Sequence, residues 1–388
     1  MPLAPGTGTG RIQYLDVARS YAMAMVFYGH FIERLMMLDE PAAATLYKFI
    51  YAFHMLLFFV LSGFIARERD LSSGAWQYFQ YRFLSRLLPF IFFTVVFMGL
   101  AALFPGDFFD LKLPSIQGYI GGLVMTGLGI PLFCVPSWFL LLLFSVEMIH
   151  YLFFRLGIRD AGASRTDLKI LIAIPAFYLC GYYLNLYGDF LNLAKHRMYN
   201  FLFVHEAVIM YAFYLAGYYL RRRHFLIGEG SAKFLAPGAM IAFLIVWFTF
   251  RLNQGPFNFN YYNAVVIMMS SHGHLFWFPA TALAGSLGVF LLGKLTAGWK
   301  TIAWMGRNTL ILMCLNGVFY HFINPPISQW VLALYAGRPV MIFLSGLVMT
   351  VVSMALCVPF IYLLNRYVPQ LVGKPKIRGP WLPALVRT

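Results

Sequence analysis

Residues 12–32 read IQYLDVARSYAMAMVFYGHFI, an apolar run that nevertheless carries Arg19 and His30. As one helix its 21 residues reach about 31 Å, enough to cross the roughly 30 Å hydrocarbon layer of a bilayer. Eleven steps of about 100° separate the two residues, which is three turns and about 20°. Both side chains therefore leave the same face, about 16 Å apart along the axis. Ionisable groups are expensive in hydrocarbon, so an aligned pair facing a bundle interior marks a functional site. A fixed positive charge followed by a titratable base suits a long anionic donor whose reactive end must meet an acceptor.

The rest of the chain repeats the apolar signal. Hydrophobic residues make up 61 %, aromatic residues 19 % and charged residues only 11 %, with a mean hydropathy of +0.73. A soluble domain is about half apolar, so this composition predicts an all-α, polytopic membrane helix bundle. Ten runs are long enough to cross: 12–32, 47–66, 84–104, 136–156, 168–187, 199–220, 234–252, 273–293, 301–323 and 339–365. The expected organisation is a flexible N-terminal arm over 1–11, one ten-span domain over 12–365 and a basic tail over 366–388. No stretch reads as a soluble catalytic domain, so any chemistry takes place within or beside the bilayer.

The net charge of +15 is distributed for topology rather than for nucleic acid. With the N-terminus inside, cytoplasmic segments hold 21 Lys and Arg residues and the opposite side holds seven. That excess places both termini in the cytoplasm by the positive-inside rule. The four cysteines are scattered without CxxC spacing, which implies neither a disulfide framework nor a metal site. The first apolar run is full length and lacks a small-residue cleavage site, so it reads as an uncleaved span.

Two long connections are expected outside. Residues 105–135 include the Gly-rich piece IQGYIGGLVMTGLGI (116–130), too short to span comfortably; it reads as a re-entrant or an interfacial segment. Residues 253–263 (NQGPFNFNYYN), with Tyr261, offer flat rings and amides that could stack on and hydrogen-bond a sugar. The same composition also fits an aromatic belt at the membrane surface. No internal repeat is evident, which disfavours a transporter built from duplicated halves.

Further motifs follow in order. Phe58-Phe59-Val60-Leu61-Ser62-Gly63 ends the second run and precedes Arg67; Arg82-Phe83-Leu84-Ser85-Arg86 opens the third; Pro136-Ser137-Trp138-Phe139 opens the fourth; Gly306-Arg307-Asn308-Thr309-Leu310 lies in the ninth. Together with Arg19 and His30, this ordered set resembles the acyltransferase-3 family of integral membrane acyltransferases over roughly residues 11–365. Within it, the chain is most similar to O-acetyltransferases of bacterial exopolysaccharide repeat units, of the xanthan kind. The resemblance implies transfer of an acyl group, usually acetyl, from cytoplasmic acetyl-CoA as co-substrate to a sugar hydroxyl of a polysaccharide repeat unit or lipid-linked oligosaccharide. It further implies residence in the bacterial inner membrane; from the residues themselves, no metal and no nucleic-acid partner is expected. Two departures stand out. Relatives more often place the two arginines three residues apart, whereas Arg82 and Arg86 are four apart. Relatives also often carry a histidine ten residues after the glycine matching Gly306, where this chain has Asn316, with His321 five residues further on.

The residues support a mechanism of their own. A hydroxyl attacking a thioester needs a base within reach, and histidine is the usual choice. His30 is the expected base. Glu33, three residues on, is either its orienting partner or a solvated residue at a helix end. Arg19 either contacts the donor or pairs structurally with Asp16. Arg82 and Arg86 would hold nucleotide phosphates, with Arg67 and Ser62 as further donor contacts. Trp138, Asn316, Glu147 and Tyr261 are the expected acceptor residues, with a buried hydrogen-bond bracket as the other reading of Glu147. His205, Glu206 and the His272–His274 pair are further polar groups; without a third ligand at recognisable spacing, that pair reads as loop rather than metal site. The competing classes are a transporter or flippase for a lipid-linked sugar, or a non-catalytic membrane assembly factor, neither of which needs acyl-CoA.

Overall fold

The computed structural model describes residues 12–108, 115–129, 131–158, 162–187, 201–225, 231–254 and 264–386. The expected arm over 1–11 and most of the aromatic loop, Tyr261 included, lie outside the described residues. Within them the structure is helical, apart from an isolated antiparallel bridge between Val266 and Ser271.

Helix α1 (Gln13–Met37) is followed by α2 (Pro41–Tyr51) and α3 (His54–Ile65), which make one crossing broken at Ala52 and Phe53. Short α4 (Glu68–Leu71) and α5 (Ala75–Arg82) lead through a π-helical turn, Phe83–Leu87, into α6 (Leu88–Leu103). Helix α7 (Ile116–Gly127) occupies the first long connection. Single crossings follow as α8 (Trp138–Phe153), α9 (Ala163–Tyr187), α10 (Val204–Arg222), α11 (Ala232–Thr249) and α12 (Trp277–Leu295). After α13 (Lys300–Gly306), α14 (Thr309–Val318) and α15 (Asn324–Tyr335) form one crossing through a second π turn, Phe319–Ile323. The last crossing joins α16 (Pro339–Leu356) to α17 (Val358–Tyr367).

Among the described residues, nine helical stretches are long and apolar enough to cross a membrane. Helix α1 is a further 25-residue helix, about 37 Å long, made more polar by Asp16, Arg19, Glu33 and Arg34. It is packed by α2, α3, α12, α13, α14, α15 and α16. Its charges therefore face protein rather than lipid, as intramembrane ionisable groups must. The bundle is the all-α, multi-pass membrane architecture that the composition requires.

One expected span moves. The ninth crossing is Thr309–Tyr335, not 301–323. The apolar run passes through Gly306-Arg307-Asn308, but the helix breaks there: Gly306 ends α13, and Arg307 and Asn308 lie between it and α14. A Cβ on Gly306 would sit 1.6 Å from the Asp16 carbonyl oxygen, so α13 lies directly on the backbone of α1. Arg307 Nε donates to Asp16 Oδ2 at 3.3 Å. Asn308 Oδ1 accepts from Asn365 Nδ2 at 2.8 Å and from Lys374 Nζ at 3.2 Å.

The glycine of the second motif has a packing role as well. A Cβ on Gly63 would meet the Tyr214 carbonyl oxygen at 1.8 Å, and one on Gly217 would meet that of Val60 at 2.0 Å. The two glycines let α3 and α10 approach backbone to backbone, as small residues do where lipid supplies no hydrophobic drive.

Candidate active site

The central feature is a cavity of about 1140 Å³ at one end of the bundle. Seven cations line it: Arg19, Arg67, Arg82, Arg86, Arg307, Lys374 and Lys376. All belong to α1 or to segments that the charge count places on the cytoplasmic side. Two carboxylates answer them. Glu147, only 3 % exposed, accepts from Arg86 Nε at 3.1 Å and from Arg86 Nη2 at 2.9 Å. Its Oε1 also lies 3.1 Å from Arg82 Nη1. Asp16, 2 % exposed, lies 3.8 Å from Arg19 and holds Arg307. Seven cations against two carboxylates leave a strong positive excess, which focuses anions into a low-dielectric cleft.

Local structure explains how Arg82 and Arg86 meet one carboxylate. The extra residue between them coincides with the π turn Phe83–Leu87, the form in which a helix absorbs a single inserted residue. Glu147 then receives one guanidinium as a fork and the other as a single contact. Tyr78 completes the floor: its ring lies 4.9 Å from the Arg82 guanidinium, and its hydroxyl donates to the Glu147 carbonyl at 3.1 Å.

Deeper in, the cavity narrows to a throat with a void of only about 20 Å³, room for little more than one water. Its lining includes His30, Pro136 and Trp138. Met23, Phe58, Phe139 and Met313 line both spaces, so the small void lies against the inner wall of the cavity. On α1 the residues Arg19, Met23, Val26 and His30 form one stripe, spaced four, three and four apart. The pairing of Arg19 with His30 thus follows a physical path from the basic cavity to a half-buried imidazole.

His30 Nδ1 is hydrogen-bonded to Asn316 Oδ1. An amide oxygen only accepts, so Nδ1 carries the proton and Nε2 keeps its lone pair in the neutral ring. The Tyr320 ring meets the imidazole edge-on at 5.4 Å. Asn316 is fully buried, and its amide nitrogen has no hydrogen-bond partner among the described residues. Arg34, one turn beyond His30, donates to the Tyr320 carbonyl at 3.2 Å and lies 4.3 Å from the Tyr320 ring centre.

The expected site residues divide between these two spaces. Arg19, Ser62, Arg67, Arg82 and Arg86 line the wide cavity. Glu147 lines the same cavity and is bracketed by Arg82 and Arg86 as their counter-charge. Trp138 lines the throat beside His30. Asn316 touches the His30 ring itself, while Glu33 accepts from the Tyr51 hydroxyl at 3.5 Å. Among the histidines outside the site, His274 Nδ1 accepts from the backbone N–H groups of Phe276 and Trp277 at 3.1 and 3.4 Å, so it caps the start of α12. Sequence reading missed Met23, Met313, Lys374 and Lys376. Met23 was within reach of the same 100° arithmetic that aligned Arg19 with His30. The lysines were not, because only the tertiary fold returns the tail to the cavity.

Residues 12–362, nearly the whole chain, match the family model Acyl_transf_3, described as an acyltransferase domain. No curated protein and no solved structure matches the chain.

Proposed function

The chain belongs to the acyltransferase-3 family, a membrane acyltransferase by that membership, and on that premise we propose that it moves an acetyl group from cytoplasmic acetyl-CoA to a sugar hydroxyl of an exopolysaccharide or its lipid-linked precursor. The observation that carries this reading is that the basic cavity and the small void beside His30 share one wall, formed by Met23, Phe58, Phe139 and Met313. The phosphates of the donor would occupy the cation-lined cavity, and its pantetheine arm would thread between Met23, Phe58, Phe139 and Met313. The thioester would then reach His30.

In this mechanism His30 Nε2 takes the proton of the acceptor hydroxyl as its oxygen attacks the thioester carbonyl. The buried Asn316 amide nitrogen is a donor suited to the carbonyl oxygen as it becomes negative. Collapse of the tetrahedral intermediate breaks the C–S bond, and the imidazolium returns its proton to the departing sulfur. The products are the sugar ester and free CoA thiol. Methionines in the throat suit a passage that must widen for the arm, since their unbranched side chains repack easily.

The test uses membranes containing the protein, radiolabelled acetyl-CoA and a lipid-linked sugar extract, comparing wild type with His30→Ala. Label should enter the sugar only with wild type. Equal labelling by both would remove His30 as the base, and a wild type that cannot bind CoA would sink the reading altogether.

A further inference from the structure

The family match ends at residue 362, yet the cavity wall does not. Beyond α17 the chain turns back through Pro369–Val372, a short 3-10 turn, and a left-handed Gly373. A Cβ on Gly373 would lie 3.2 Å from the Ser85 carbonyl oxygen, which seats the tail on the π turn between Arg82 and Arg86. The tail is then clasped to itself. Gln370 Nε2 donates to the Leu382 carbonyl at 2.6 Å, and Leu385 N donates to that of Pro375 at 2.8 Å. Lys374 is tied to Asn308 and Asn365. Lys376 is exposed, with its ammonium 5.3 Å from the Tyr81 ring centre. Both lysines line the cavity.

The cavity cations are graded by depth. Arg82 is 8 % exposed, Arg19 and Arg86 are half-buried, and Arg67, Arg307 and Lys376 are exposed, with Arg307 committed to Asp16. A CoA donor that directs its thioester inward to His30 leaves its adenosine end outermost. The inner guanidiniums then meet the diphosphate. The ribose 3′-phosphate, beyond the diphosphate at the adenosine end, falls towards the rim.

We propose that the C-terminal tail is a donor-binding element, in which Lys376, positioned by the Lys374 anchor, recognises the ribose 3′-phosphate of CoA and so selects CoA over donors that lack it. This rests on the CoA-donor reading above. A dianionic phosphate beside an exposed ammonium supplies a directional, salt-sensitive contact. Arginines deeper in the cavity do not duplicate it, because the diphosphate occupies them.

The test is binding of CoA and of dephospho-CoA to the full-length protein in detergent, for wild type, Lys376→Ala and Lys376→Arg. Wild type should prefer CoA, and Lys376→Ala should lose about tenfold in CoA affinity while dephospho-CoA binding is unchanged. Lys376→Arg should recover most of the preference. Equal losses for the two ligands, or no loss for either, would overturn the assignment to the 3′-phosphate. A wild type that binds neither ligand would instead overturn the CoA reading, and this inference with it. Lys376 is exposed at the rim, and an unchanged melting temperature in Lys376→Ala separates lost recognition from a disturbed fold.

Discussion

Replacing Asn316 with alanine removes the acceptor on His30 Nδ1 without touching the donor cavity, because Asn316 is not among the residues lining it. The buried Nδ1–H then lacks its partner, a penalty of about 1–3 kcal/mol. The ring can escape part of that penalty by moving its proton to Nε2, but that tautomer cannot accept a proton from the acceptor hydroxyl. Either way the competent state becomes rarer, by about 5- to 160-fold at 25 °C. The edge-on contact with Tyr320 still limits ring rotation, so complete loss is not expected. Because the amide donor to the developing oxyanion is lost as well, the expected result is a fall in kcat of at least that range, with the KM for acetyl-CoA unchanged. Asn316→Asp is the companion variant. Its carboxylate still accepts from Nδ1 but offers no amide donor, so it should recover the tautomer and part of the rate. Initial rates of labelled acetyl transfer, at saturating and limiting donor, separate the two constants. An Asn316→Ala enzyme within about twofold of wild-type kcat would refute the idea that this bond sets the tautomer of the base.

Other perturbations probe the rest of the site. Glu147→Gln leaves Arg82 and Arg86 without their shared carboxylate and should cost about 3 kcal/mol of stability; the folded fraction should bind CoA more tightly, and thermal unfolding with and without CoA reads both effects. Val26→Trp should fill the throat from a position that does not line the basic cavity, so CoA still binds but transfer stops; normal turnover would show that the arm takes another route. Gly306→Ala puts a Cβ 1.6 Å from the Asp16 carbonyl oxygen and should separate α13 from α1, with loss of folded protein in detergent chromatography. Gly298→Ala, where a Cβ meets nothing within 4 Å, is the control. Burial of His272, outside the membrane-crossing helices, pushes its pKa down from 6.5 to about 3. The unfolded chain therefore binds a proton that the folded one refuses as pH falls below about 6.5, and stability drops from there towards pH 3. A melting temperature that falls less with pH in His272→Gln would check this.

The sequence by itself determined the class of fold and the alignment of Arg19 with His30 on one helix face. Apolar run length and scarce charge leave no alternative to a helical membrane bundle, because a backbone in lipid must satisfy its own hydrogen bonds. Helical periodicity alone aligned Arg19 with His30, since the 100° step is a local property of one helix. What periodicity could not supply is the identity of a partner on another helix. Asn316 and His30 are 286 positions apart, and only the packing of α14 against α1 makes them a pair. The partners of Glu147 were out of reach for the same reason. Its sequence says only that a carboxylate is buried, and the π turn at Phe83–Leu87 decides that it answers two arginines. The ninth span moved because hydropathy sums over Gly306-Arg307-Asn308 without seeing that Arg307 and Asn308 spend their hydrogen bonds on Asp16, Asn365 and Lys374. The tail looked like a topology signal, a run of cations after the last helix. It became part of a cavity wall only because the 3-10 turn at Pro369–Val372 and the left-handed Gly373 reverse the chain onto Ser85. Local composition fixes what each segment can be, and long-range contacts decide which charges meet.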